Sequence, residues 1–274
     1  TACFTIDAAT DNAVGGNLSV TSTTGQVDQG DIVLAVGGTS SFTTLADNKF
    51  INMSPGANAS NTFTGAVSVN ATSWAQIKGG AGGTTLDMAA SSVAGILTLK
   101  SEGGITDSGT VTSPTLNAIT LANNGAIHLD QLDINGYIRF QTHGTGNATG
   151  VNASHFKLGI YLQGISVGGN LSATATTGNI TDWENSDSRP ANTVAGTSSF
   201  TTSANNGTIT LNNPNAFAGA VTITTNDDSG TDADVTIDGG TTALILAAST
   251  IDGDLAVRSG NASGITDRGT VTVG

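Results

Sequence analysis

Residues Val167–Ala173 read VGGNLSA, and Gly178–Asp182, just downstream, reads GNITD. Both phrases recur. VGGNLSV stands at Val14–Val20, VAGILTL at Val93–Leu99 and IDGDLAV at Ile251–Val257, with Gly16, Gly95, Gly169 and Gly253 at the third position of each copy. The second phrase follows each anchor, as a worn GQVD at Gly25–Asp28, GITDSGTVT at Gly104–Thr112 and GITDRGTVT at Gly264–Thr272. TSSFTT at Thr39–Thr44 returns at Thr197–Thr202, and FTGAV at Phe63–Val67 returns as FAGAV at Phe217–Val221. Phrases kept in one order, with anchors roughly 80 residues apart, mark a tandem repeat.

Within a repeat, short alternating runs such as Leu18–Val20, Ile32–Val36, Ser41–Thr44, Phe50–Met53, Ala66–Val69 and Leu86–Met88 are separated by Gly, Asn, Asp and Ser. These read as strands of three to five residues. A closed barrel or sandwich cannot take another block of this size without a new closure, whereas a solenoid lengthens by adding coils. The expected fold is all-β, a parallel β-solenoid (β-helix), with residues 1–274 forming one elongated domain. Coils of about 20 residues would give about four per repeat, about 13 in all and a rod on the order of 60 Å long. Like residues should stack on like, Phe42 with Phe200 and Leu18 with Leu171 at equivalent interior rungs. The extra residues around Trp183–Pro190 should leave the coil at a corner.

Composition agrees with this. Only 11% of residues are charged while 37 of 274 are Gly, and glutamate occurs only at Glu102 and Glu184. No stretch carries the charged face of an amphipathic helix. The formal charge of −13 would repel a phosphate backbone, so nucleic acid is not an expected partner. Cys3 is the only cysteine, so no intrachain disulfide is expected. Residues 1–20 lack a leader pattern, and no run of about 18 apolar residues suggests a membrane span.

The combination of GNLxV, GxITDxG, GTSSFTT and NGTITLNNPNAFAGAV, carried by Gly16–Val20, Gly169–Asp182, Thr197–Val221 and Gly264–Thr272, resembles the β-strand repeats of filamentous haemagglutinin-type bacterial surface proteins. The resemblance spans nearly the whole chain and is weakest between Asn123 and Gly168. It implies a long parallel β-helix at the cell surface, acting in adhesion, biofilm cohesion or as a structural fibre, with no shared catalytic residues. Asn213-Pro214-Asn215 is only superficially similar to the secretion-domain motif of that family; its neighbours make it a corner turn opposite Pro55–Ala57.

Two regions could carry chemistry. His128, His143, His155, Tyr137, Tyr161 and Arg139 fall in the eroded stretch and are candidates for a ligand site or a lateral contact, against the plainer reading of a decorated loop. Asp227, Asp228, Asp232 and Asp234 are candidate calcium ligands, because calcium takes hard oxygen donors, although the order is not that of an EF-hand and solvated acidic corners explain it equally. No other cofactor is expected. Enzymatic activity is not expected: Asp107 and Asp267 occupy equivalent ITD turns, and the eight cations are scattered. Ice binding would need Thr-x-Thr on one face, yet Thr208 and Thr222 are only 14 apart, so the triplets at Thr110, Thr208, Thr222 and Thr270 should not share one.

The expected role is therefore spatial: an extracellular fibre or adhesin segment, with polysaccharide binding or degradation and ice binding as alternatives. The expected partners are other copies, laterally or head-to-tail, and surface glycans or matrix polysaccharide. Neither end shows a recognisable cap, so the chain is expected to continue covalently or to stack on itself.

Overall fold

The computed structural model describes residues 4–5, 12–154, 158–182, 191–226 and 231–274. They form a parallel β-solenoid. All of the strand pairs are parallel, arranged in a 15-stranded front sheet, a 16-stranded back sheet and a short 3-stranded sheet (Ala13–Val14, Ala35–Val36, Thr62–Phe63) at one edge of the early coils. Helix is confined, among the described residues, to one 3-10 turn at Ala81–Gly83.

The front sheet climbs the axis through twelve rungs, from Phe4–Thr5 by way of Ile51–Met53, Ala75–Gly79, Ile96–Ser101, Thr115–Asn123, Tyr137–His143, Gly159–Leu162 and Asn179–Asp182 to Leu255–Arg258. Coil length varies: the shorter coils pair Leu97 with Leu116, while the longest described pairs Ile180 with Ile209. Twelve rungs, not 13 coils, give a ladder about 50 Å long at ~4.8 Å spacing. The expected insertion falls in this longer stretch; Trp183–Pro190 itself lies outside the described residues. On either side of it Val167 still pairs with Val194 and Ile180 with Ile209, so the ladder absorbs the extra length.

The core lies between the two sheets. Alternation puts every second residue inside, and the parallel register stacks those positions: Val27, Ile51, Ala75, Leu97, Leu116 and Ile138 form one fully buried front column. Val20, Phe42 and Val69 form a back column, and seven coils on Ala173, Phe200 and Ile223 do the same. Large residues thus alternate with smaller ones, which fills the layer without overpacking. Phe42 and Phe200 occupy equivalent rungs, as do Leu18 and Leu171.

The sequence repeat is three and a half coils, not four. The anchor at Gly16 leads into the back strand Leu18–Ser22, that at Gly95 into the front strand Ile96–Ser101, that at Gly169 into the back strand Leu171–Ala175 and that at Gly253 into the front strand Leu255–Arg258. The ITD phrases alternate in the opposite phase: Asp28 and Asp182 are on the front sheet, Asp107 and Asp267 on the back. Only every second repeat returns to the same face, which is why the TSSFTT copies coincide in space. Asp107 and Asp267 are also strand-terminal residues, paired to Met88 and Leu246, and not members of a turn.

One corner design serves both faces. The hydroxyls of Thr44 and Thr202 on the back sheet and of Thr120 on the front donate to the carbonyls of Lys49, Gly207 and Gly125. In each corner the residue before that carbonyl is an asparagine with φ near 60°: Asn48, Asn206 and Asn124. Asparagine tolerates this region better than other side chains, so the threonine–asparagine pair closes the bend on either side of the coil.

Candidate functional site

Buried asparagines bond the backbone between strands. Asn61 Oδ1 accepts from Leu34 N (2.8 Å) and from Gln29 Nε2 (2.6 Å), while its amide donates to Gln29 Oε1 and Met53 O. Asn192 accepts from Ile165 N in the same manner. Asn152 Oδ1 accepts from Ile134 N and its amide donates to Ile134 O and Gly159 O. Each satisfies backbone groups where the ladder breaks between strands, a place where an unpaired buried group would be costly. Asn61 and Asn192 are not singled out by the sequence phrases above, and Asn215 is read there only as part of a corner; the signal shared by all three is an Asn two residues before the first apolar residue of FTGAV, VAGTS and FAGAV.

The corner at Asn213-Pro214-Asn215 is tied down by Asp182. Its carboxylate accepts from the backbone N–H of Asn212 and Asn213 and from Asn215 Nδ2 at 2.8 Å. Burial pushes the Asp182 carboxyl above the ordinary carboxylate range, and these donors only partly offset the desolvation. Asp107 is raised too, by burial first and by the neighbouring Asp130 charge, against the N–H groups of Asp130 and Gln131 that its oxygens receive. Both carboxylates organise backbone of the next coil.

The candidate residues of the eroded stretch converge only in part, Tyr137 with Tyr161 beside Arg139. Tyr137, Arg139 and Tyr161 project from the front sheet, His143 ends the strand Tyr137–His143, and His128 is on the back sheet, 3.5 Å from Asp130 in an exposed pair. His155 lies outside the described residues. Of the calcium candidates, Asp227 and Asp228 are also outside; Asp232 is exposed, and Asp234 Oδ1 accepts from Asp254 N across the coil, as Asn17 does from Thr39 N. Among the described residues no three His, Cys, Asp or Glu side chains come together in a metal-binding group. Among the described residues no helix is long and apolar enough to cross a membrane.

The threonine triplets are distributed differently from expectation. Thr208–Thr210 is on the front, but Thr110–Thr112, Thr222–Thr224 and Thr270–Thr272 all reach the back sheet. There two hydroxyl columns run along the axis: Thr149, Ser172, Ser199 and Thr222, beside Thr174, Thr201, Thr224, Thr250 and Thr272.

The outer front face has another character. Register places Phe50 beside Trp74, whose rings stack at 4.5 Å and 7°, followed by Ile96 and Thr115 and then Tyr137 and Tyr161, edge-to-face at 6.3 Å. Alongside runs a polar column of Asn52, Gln76, Thr98, Asn117 and Arg139. A shallow groove of about 690 Å³ opens over Asn52, Gln76, Lys78, Lys100 and Leu121, with Asp28 at one end.

With this geometry goes one comparison. Residues 4–70, 76–140 and 145–224 match a family described as repeats of unknown function (DUF5649). The chain belongs to that family. The matched blocks of DUF5649 cover most of the solenoid and follow one another along the chain, as tandem repeats do. No curated protein and no solved structure matches the chain.

Proposed function

We propose that this DUF5649 chain is a structural segment of an extracellular fibre or adhesin at a bacterial cell surface, extending and stiffening whatever it carries. The observation that supports this reading is the parallel ladder, which keeps its pairing through twelve front rungs, with one register shift between Ile119 and Asn123, although the coil from Ile180 to Ile209 is much longer than that from Leu97 to Leu116. Such a ladder resists bending because every rung is hydrogen-bonded to the next along the axis.

Negative-stain imaging of the purified chain at low concentration, together with antibody labelling of intact source cells, tests the proposal. Rods about 50 Å long, as twelve rungs at the inter-strand spacing require, or multiples of that length, with label on the cell exterior, are expected. Round particles, or label reached only after the cells are opened, would sink it.

Ice binding is a second reading, favoured by the paired hydroxyl columns on the back sheet. Ice-recrystallisation inhibition that disappears in Thr201→Lys would support it, and growth identical to a buffer control would end it.

A further inference from the structure

The front and back faces of the rod differ in charge over the same coils. Six successive front strands, Ile51–Met53, Ala75–Gly79, Ile96–Ser101, Thr115–Asn123, Tyr137–His143 and Gly159–Leu162, contain no carboxylate but contain Lys78, Lys100 and Arg139. Back strands over those coils carry Asp87, Asp107, Asp130 and Asp133. In a chain with 21 acidic and 8 basic residues, a carboxylate-free stripe with three cations departs from the composition. The same strands carry the outward aromatic column, and the groove opens over their Asn52, Gln76, Lys78 and Lys100.

We propose that this front face, from Phe50 to Tyr161, binds an acidic polysaccharide of the uronate class laid along the solenoid axis. Trp74 is 40% exposed although its ring stacks on Phe50, and Ile96 is 49% exposed, so a strip of aromatic edge and aliphatic carbon is available to the C–H groups of a sugar ring. Asn52, Gln76 and Asn117 repeat along the coils beside it and supply amide donors and acceptors for hydroxyl groups. Lys100 and Arg139 supply charge for carboxylates, and among the described residues neither is in an ion pair. Lys78 is nearly buried, its ammonium donating to Gly56 O and Ala57 O, so it adds field more than contact. Asp28 and Asp31 border the groove at its N-terminal end and bias a polyanion away from it, toward Lys100 and Arg139, while Glu102, which accepts from Ser60 and borders the adjoining recess, works against that bias beside Lys100.

The proposal names a partner for the rod and so deepens the fibre reading, but its test is separate from rod formation. The probe is oligogalacturonate, titrated into the whole chain by calorimetry and by Trp74 fluorescence in a Trp183→Phe background, with neutral dextran as control. Expected are saturable binding, a change in Trp74 emission, weakening with salt, and at least tenfold loss in Lys100→Gln/Arg139→Gln and in Trp74→Ala, each variant keeping its parent's circular dichroism and melting temperature. Absence of saturable binding, equal binding by the variants, or equal binding of dextran overturns the proposal while leaving rods seen by imaging intact. Concentration-dependent association in sedimentation that vanishes in Lys100→Gln/Arg139→Gln, without oligogalacturonate binding, overturns it in favour of a second copy on this face.

Discussion

Phe140 of the front sheet fits against Gly150 of the back sheet: a Cβ built at position 150 would lie 2.7 Å from the Phe140 ring carbon Cζ. The ring is fully buried, so it has little room to withdraw. Gly150→Ala is expected to destabilise the chain by about 1–3 kcal/mol, the usual cost of overpacking a filled core. Phe140→Leu in the same molecule should recover part of that loss. A double-mutant cycle in urea measures it, and additive losses would refute direct packing.

Asn152 serves three backbone groups, Ile134 N, Ile134 O and Gly159 O. Asn152→Ala orphans them together, and each unmet buried group costs about 1–3 kcal/mol, so the loss should exceed that of Asn170→Ala on the exposed corner. Chemical denaturation of the two variants decides; equal midpoints would contradict the interior role.

Ser198 lies on an inward position of the second TSSFTT copy, and its hydroxyl is buried with no hydrogen-bond partner. Ser40, its counterpart in the first copy, is in the same state. Removing an unpaired buried hydroxyl while keeping the Cβ should be neutral to stabilising, by up to about 1 kcal/mol. Ser198→Ala should melt at or above the parent temperature in calorimetry, and a fall of several degrees would show that the hydroxyl is bonded.

Asp182 gives a pH signature. Its folded pKa is raised, so from its ordinary value of 3.8 upward to that raised value the native state holds more protons than the unfolded chain. Stability from this group therefore falls as pH rises through that window. Asp182→Asn removes the contribution, and its melting temperature should decline less steeply than the parent's above about pH 4. Parallel melting curves of the two proteins across the window would refute the assignment.

The candidate residues show the limits of reading along the chain. His128, Tyr137, Arg139, His143 and Tyr161 are close in sequence, but period-two alternation and the turn between strands send His128 to one sheet and the tyrosines to the other. Conversely, Phe50, Trp74 and Tyr161 are far apart in sequence and meet in one outward column, because parallel pairing brings residues about one coil apart to adjacent rungs. Proximity along the sequence was the wrong measure for a surface assembled across coils.

What the sequence determined by itself was the local module: an alternating strand, a glycine or asparagine corner, and the return of both in tandem copies. Those are set by dihedral preference and side-chain period, which act over a few residues. Only the tertiary structure decided that the repeat is three and a half coils, so that VGGNLSV and VAGILTL open strands on opposite faces. The physical reason is that the same corner closes the bend on either side of the coil, while the coils themselves differ in length, as the Leu97–Leu116 and Ile180–Ile209 pairs show. Face and rung are consequently fixed by long-range pairing and not by any local phrase.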